Sequence, residues 1–442
     1  MKGKSAASRN DEVPVNKYFR GEYGIFEQSG YDMTVQSTTT TKYNPINPLS
    51  DGSDVVFVIP ESTLRYTNPS LIRLYGRARI VTPAGAALAD NIVIAPVNNF
   101  LHSLFTDVGI KINETSITQP STFYPHRAFI ERCLLFSKEF NKTQSANALY
   151  FKEVDPTSTD IADDTTSFAK RHALCRASRP FEFCGRLHTD IFSQGKVLPP
   201  GVNMRITPKR SENDFLVHTE AANAAVHYKV EILDMALMVV TEKVLPSIEI
   251  DHLKCFEKGE LAKYDLNQVE VKSYTLAQGD ITSVNESLIQ GKLPSRMVVA
   301  LIPTASLVGT VTTNPFNYTD HGLANITVTV NGDSVQSFPL DVDFRAATQR
   351  TIEAYDNIFR GLGISNLDCN IDLTLENFMN GKAFFVYELA PSGDEKTAPN
   401  YGNVKIELKF RAGLTASTTV LVYTETPNTL YIDKHKNTFF KD

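Results

Sequence analysis

Short stretches in which apolar and polar residues alternate recur along this chain, and one such unit occurs twice. Val108, Gly109, Ile110, Lys111, Ile112 and Asn113 lead through a short polar turn to Ile117; Ile326, Thr327, Val328, Thr329, Val330 and Asn331 lead through Gly332 and Asp333 to Val335. A period of two marks a half-buried strand, so each copy predicts a strand, a turn and a returning strand. Downstream of each hairpin, apolar residues recur at helical spacing, over Ala128 to Phe136 and over Thr348 to Leu362. The copies lie too far apart for a solenoid, whose repeats run to roughly 20–50 residues. The pattern therefore predicts two similar β-domains in tandem.

The same pattern predicts further strands at Val55 to Ile59, Leu71 to Val81, Phe181 to Leu187, Val202 to Pro208 and Val226 to Thr241 in the first half. In the second half they fall at Val269 to Leu276, Arg296 to Ile302, Ala383 to Leu389, Val404 to Phe410 and Thr418 to Thr424. Regular short strands separated by Gly, Pro and Asn turns predict sandwiches or barrels, with helix confined to a few insertions. Ile250, Leu253, Phe256 and Leu261 are spaced as on a helix, which predicts a helical connector between the halves. Ala146 to Lys170 is polar and acidic without a clear period and is expected to be a long surface loop. The resulting organisation is an arm over 1–50, a first β-domain over 51–246, a connector over 247–264, a second β-domain over 265–427 and a tail over 428–442.

A length of 442 residues exceeds what a single core usually fills and fits two domains that each bury a full one. No apolar run approaches the ~20 residues that cross a bilayer. Met1 to Asn10 is polar and basic with no apolar stretch after it, so it does not read as a secretory signal. Cys133, Cys175, Cys184, Cys255 and Cys369 form no CxxC pair, which predicts reduced, partly buried thiols and argues against a disulfide framework or a zinc site. The sequons at Asn113 to Thr115 and Asn325 to Thr327 carry little weight without a route to the secretory pathway. A net charge of −6 argues against a basic domain that reads nucleic-acid sequence.

Candidate chemistry is sparse. The nine histidines show no HExxH spacing, and there is no GxSxG elbow, no Walker lysine loop and no GxGxxG after a strand. A glycosidase needs only two facing acids, for which Asp341 with Asp343 and Glu257 with Glu260 are the nearest pairs. Asp341 and Asp343 would share one face of an extended stretch, with Phe338, Leu340, Val342 and Phe344 on the other, and amphipathic packing accounts for them. His126 and Arg127 sit in a stretch that Pro125 opens as a helix, with Phe129, Cys133 and Phe136 packing on the sheet. No catalytic, cofactor-binding or metal-ligating residue is assigned.

Several segments nevertheless share their order with a known family. They are Leu104 to Asn113 with its hairpin to Ile117, Tyr124 to Leu135, and Arg186 to Ile206 with the Leu198, Pro199, Pro200, Gly201, Val202 turn. In the second half they are Gly291 to Arg296, Asn314 to Tyr318, Gly402 to Phe410, Thr418 to Tyr423 and Ile432 to Lys434. The chain thereby resembles the double jelly-roll major capsid proteins of Polinton (Maverick) elements, virophages and adintovirus-like agents. The resemblance implies an all-β fold of two tandem eight-stranded jelly-roll sandwiches with a few short helices. It also implies a non-enzymatic building block, three copies of which form a pseudo-hexameric capsomer that tiles an icosahedral shell around double-stranded DNA.

The implied partners are the chain itself, penton and minor capsid proteins, and packaged DNA bound without sequence specificity; the implied location is the virion. No cofactor is implied. The chain is compact beside many relatives, so its exposed tower loops are expected to be short. Residues 1–50 and the tail from Asn428 to Asp442 are expected to clamp neighbouring subunits. The alternatives are a tandem jelly-roll glycan hydrolase or amidase with acids lining a groove between the domains, and a carbohydrate-binding or host-domesticated relative that encloses no genome. The absence of Trp counts slightly against sugar stacking.

Overall fold

In a computed structural model of the chain, the described residues are 34–49, 53–336, 338–367, 371–389 and 401–440. Two sandwiches account for most of them. The first is built from β1 (Val35–Tyr43), β2 (Phe57–Ile59), β3 (Tyr66–Val81), β4 (Phe105–Ile112), β5 (Thr115–Ser116), β6 (Phe181–Gly185), β7 (Met204–Arg210) and β8 (Lys229–Val244). The second is built from β9 (Ala262–Leu276), β10 (Thr282–Lys292), β11 (Arg296–Pro303), β12 (Leu323–Val330), β13 (Asp333–Ser334), β14 (Phe384–Glu388), β15 (Tyr401–Phe410) and β16 (Thr418–Ile432).

The two halves have one topology. In the first, the sheets run β1-β8-β3-β6 and β2-β7-β4-β5; in the second, β9-β16-β11-β14 and β10-β15-β12-β13. Each strand of the second half thus occupies the place of the strand eight earlier, and this order is that of two tandem eight-stranded jelly rolls.

The repeated hairpin extends the correspondence to single residues. Asn113 and Asn331 both adopt left-handed φ, 51° and 54°, the conformation a tight antiparallel turn asks for and Asn tolerates. The Asn113 side chain accepts from the backbone of Asn203 on the neighbouring segment at 2.9 Å, and Asn331 accepts from Asn403 at 2.9 Å. The Asn113 and Asn331 backbone N–H groups donate back to the carbonyls of Asn203 and Asn403. The same reciprocal clasp closes the same turn twice, and Gly332 supplies the second positive φ in the second copy, at 93°.

The predicted helices form as α1 (Tyr124–Leu135) and α4 (Ile352–Gly361); between them lie α2 (Ser167–Cys175) and α3 (Pro246–Glu257). Helix α4 packs on β14, where Gly361 lies so close that a Cβ would meet Val386 Cγ1 at 2.6 Å.

Several boundaries differ from expectation. The arm, read as 1–50, contains β1, an edge strand hydrogen-bonded along β8 from Tyr43 to Val35; residues 1–33 lie outside the described set. The connector helix ends at Glu257, and β9 begins at Ala262, within the predicted connector. The tail from Asn428 is the end of β16 followed by a turn to a short strand, Thr438–Phe440, that pairs with it. That turn is bound within the chain: Asn113 Nδ2 donates to the Lys436 carbonyl, Thr115 Oγ1 donates to the Thr438 carbonyl at 2.8 Å, and Thr438 Oγ1 donates to the Ile112 carbonyl at 3.0 Å. The described part of the tail therefore clamps the first sandwich of its own chain.

Asn113→Ala should lower stability by about 2 kcal/mol in urea melts, through a strained left-handed Ala and an orphaned partner at Asn203. Asn113→Gly should recover part of the loss, because Gly accepts the backbone conformation. Equal midpoints for wild type and Asn113→Ala would remove the clasp as a stabilising device.

Candidate functional site

The most elaborate arrangement of polar side chains lies in the seam between the sandwiches. Helix α1 forms its centre. Pro125 opens the helix in its first turn, where its missing N–H is no loss. Nearly all of α1 is buried, from Tyr124 through Leu134 apart from Arg127, because both halves of the chain pack on it. A helix buried on every side carries apolar residues all round, so its packing partners cannot be read from a single stripe.

On one side Phe129 stacks on Phe316, with ring centroids 4.4 Å apart and parallel planes, and His126 Nδ1 meets the Tyr318 hydroxyl at 2.8 Å. Both partners belong to the second half. On the other side Ile130, Glu131 and Leu134 face Arg296, Val298, Tyr423 and Glu425 of β11 and β16 across a narrow crevice. Between these two contacts, Arg127 donates to Glu131 Oε1 at 2.8 Å and to Asp190 Oδ1 at 2.6 Å. Asp190 Oδ1 also accepts from the Val269 N–H of β9 at 3.3 Å, so the guanidinium is linked through one carboxylate to the second sandwich.

The network continues into the first half. Glu131 Oε2 accepts from His188 Nδ1 at 2.6 Å, and Arg132 Nη2 lies 3.3 Å from His102 Nε2 and 3.5 Å from His188 Nε2. Arg can only donate, so both Nε2 atoms are acceptors and both rings are neutral with the proton on Nδ1. The electrostatics agree. Burial drives His126 down to about 3 and His188 to about 4, the latter against the pull of Glu131, and it holds His102 well below its ordinary value. Burial also opposes the charge on Glu131, but Arg127 and His188 outweigh it and hold the carboxyl at about 2.

A second clamp comes from the stretch expected to be a surface loop. Residues 146–170 include Tyr150 and Glu153, both buried. Glu153 takes Arg171 Nη2 of α2 at 2.8 Å on one oxygen and Asn314 Nδ2 of the second half at 3.0 Å on the other. Asn377 Nδ2 donates to the Glu153 carbonyl at 3.2 Å, and Lys152 bridges to buried Asp372 at 2.8 Å. The polar composition of this stretch reflects partners buried in the seam, in addition to its exposed turns.

The acids singled out by the sequence do not converge. Asp341 is exposed beside Arg350, whereas Asp343 is buried and receives Thr348 Oγ1 at 2.6 Å and Arg345 Nη2 at 2.9 Å. The alternation expected over Phe338 to Phe344 fails at both ends, since Phe338 is 55% exposed and Asp343 points inward. Hydrogen bonds from Arg345 and Thr348 hold the Asp343 carboxyl well below its usual range, as a turn brace. Glu257 and Glu260 are exposed at the end of α3. Among the described residues no group of three or more His, Cys, Asp or Glu could hold a metal ion. Cys133 and Cys175 are buried thiols and Cys184 and Cys255 half-buried ones; Cys369 lies outside the described residues. No helix among those residues is long and apolar enough to cross a membrane.

Similarity to known proteins follows the fold. The chain is 23% identical over 403 residues to the uncharacterized protein F54H12.2 of Caenorhabditis elegans, covering 86% of this chain and 91% of that one. No protein-family profile matches. The structure of the Sputnik virophage aligns with 99% of this chain and 93% of its own, at a TM-score of 0.66 and 11% identity. The fold is a double jelly roll. The mavirus major capsid protein has it too, aligned over 100% of this chain and 97% of its own, at a TM-score of 0.55 and 12% identity. In this double jelly roll the seam joins the two sandwiches through ion pairs at Arg127, Arg171 and Arg296, while Arg132 Nε and Lys382 Nζ are buried beside them with no hydrogen-bond partner among the described residues.

Arg127→Ala should destabilise the chain by about 3–5 kcal/mol, since Glu131 and Asp190 would keep buried charges without their counterion. Thermal melts check this, and a loss under 1 kcal/mol would show that the pair is dispensable. Stability should also fall with acid. Neutral buried His126, His188 and His218, the last held at about 4 by burial, take up protons near pH 6.5 only when unfolded. Each therefore removes about 2 kcal/mol between neutrality and pH 5. Glu131, depressed in the folded state, adds a further loss between its unfolded value near 4.5 and about 2. Urea titrations at pH 7.5 and 5 measure the first window; a pH-independent midpoint would contradict the neutral assignment.

Proposed function

We propose that this chain is the building block of a viral-type protein shell, a major capsid protein whose work is self-assembly. The observation that carries the reading is the strand-for-strand duplication: two sandwiches of one topology joined by a buried seam, in the fold of the mavirus major capsid protein. A jelly roll hides most of its strand edges in two facing sheets, which makes a stiff block whose loops vary while its flanks bind neighbours. Three chains supply six such blocks and approximate sixfold packing. The partners are further copies of the chain, penton and minor capsid proteins, and double-stranded DNA enclosed without sequence reading, in keeping with a net charge of −6.

The nematode origin of F54H12.2 favours a gene carried in a cellular genome, as in an integrated element, over one found only in free virus. On this reading the chain has no catalytic residues: the acids that the glycan-hydrolase alternative nominated, Asp341 with Asp343 and Glu257 with Glu260, do not converge, and Glu131 and Glu425, which face each other across the seam crevice, are each held by an arginine, Arg127 and Arg296.

Size-exclusion chromatography with light scattering tests the proposal. The expected species has three times the chain mass of 49.1 kDa, and shells should be visible by electron microscopy of concentrated material. A monomer that persists at micromolar concentration, with no particles, would refute it.

A further inference from the structure

Beneath the connector helix lies a pocket of 580 Å³ that nothing in the described structure fills. One wall is helix α3, through Ile248, His252, Cys255 and Phe256; the opposite walls are the ends of β1, β8 and β9. Its lining is largely apolar, and its polar atoms are mostly engaged. The Tyr66 hydroxyl is 2.8 Å from His252 Nδ1, and Tyr264 donates to the Val197 carbonyl at 3.0 Å. Glu242 and exposed Glu260 stand at the lining, the first of them held by Asn68 at 2.8 Å. The size falls within the roughly 300–1,000 Å³ of cavities that enclose ligands.

The chain itself leaves from this pocket. Thr34 and Val35, the first described residues, are part of its lining, and the Thr34 carbonyl is fixed by the Leu245 N–H at 3.0 Å at the start of α3. Upstream stand Tyr18, Phe19, Tyr23, Ile25 and Phe26, an apolar cluster in an otherwise polar leader, with Lys17 and Arg20 beside it. Phe26 is eight residues from Thr34, a reach of at most about 26 Å at roughly 3.3 Å per residue. A segment tethered that closely has an effective concentration in the millimolar range at the pocket, far above that of any free partner. Its aromatic side chains match the apolar walls; charges of both signs stand at the lining, Lys196 and Lys263 beside Glu242 and Glu260, and both signs occur in the segment, in Arg20 and Glu22.

We propose that Tyr18 to Phe26 docks in the pocket of its own chain, packing Phe26 and Ile25 under α3 and so fixing the connector to the first sandwich. The segment is thereby an internal strut, in place of the inter-subunit clamp expected from its composition. The proposal concerns a single chain and does not rest on the capsid reading; it would stand if the protein proved monomeric.

Cys255 in the pocket wall provides the probe. In full-length Phe26→Cys, and in Ile25→Cys for the neighbouring register, mild oxidation with copper phenanthroline should join the introduced thiol to Cys255. The link is expected within one chain: peptide mass mapping finds it, and non-reducing electrophoresis shows no new oligomer. In the unmodified chain, Cys255 should react with iodoacetamide at least fivefold more slowly than in a chain lacking residues 1–27, read peptide by peptide. Links between chains would overturn the proposal and assign the pocket to a neighbour's segment. The absence of any link, with equal alkylation rates, would overturn it in favour of another occupant.

Discussion

One guanidinium, that of Arg127, sets the geometry on which the two halves depend. It lies between two carboxylates, Glu131 on its own helix and Asp190 on a distant segment, and Asp190 in turn holds the Val269 N–H of the second sandwich. Removing a charge of this kind from water costs several kcal/mol per ion, and only close, multiply bonded pairing offsets it. Such an arrangement tolerates little displacement. If the sandwiches slid by an ångström, the Asp190 oxygen would lose either the arginine or the strand, and a buried charge would be left short of a partner. The contribution of the pair is thus less to net stability than to the choice of a single relative position.

The apolar packing around it points the same way. The stacked Phe129 and Phe316, the His126 contact to Tyr318 and the Glu153 link between Arg171 and Asn314 all cross between the halves. Buried apolar residues of both sandwiches join in one continuous cluster, so the chain has one core where its duplication would allow two. Histidines held neutral in this core couple its integrity to pH. Protonation is resisted by burial, and an acidic solvent therefore favours the open state.

How much of this was legible in the sequence depends on how each element is buried. The hairpins were readable because Asn113 and Asn331 announce a left-handed turn between alternating residues, and the inner strands β11 and β8 because both of their faces are apolar. Strand β1 was not readable. Its sequence, VQSTTTTKY, is exposed on both faces, so the β-branched threonines are the one signal, and a Ser/Thr-rich stretch reads equally as a tail. Strand β10, TSVNESLIQGK, was missed for the same reason. The seam was legible only in part. Helix α1 was evident from Pro125 and the apolar spacing, but the partners of Arg127 and Glu153 lie 63 and 161 residues away and carry no local pattern.

The polar edges that made β1 and β10 hard to find also bear on how copies of the chain can meet. A long apolar edge strand would invite open-ended strand addition, whereas threonine, asparagine and charged side chains along an edge make it a poor template. With Thr38 to Thr40 and Lys42 exposed on β1 and Glu286 and Ser287 exposed on β10, strand addition is disfavoured at both edges. Any association of copies would be left to side-chain surfaces and loops, where apolar groups such as Val308, Ile352 and Leu367 stand more than 60% exposed. Contacts of that kind are individually weak and depend on shape, and a shape can be matched repeatedly only if the block presenting it does not flex. The buried arginine and its two carboxylates meet that requirement, because they leave the two sandwiches one way to sit together.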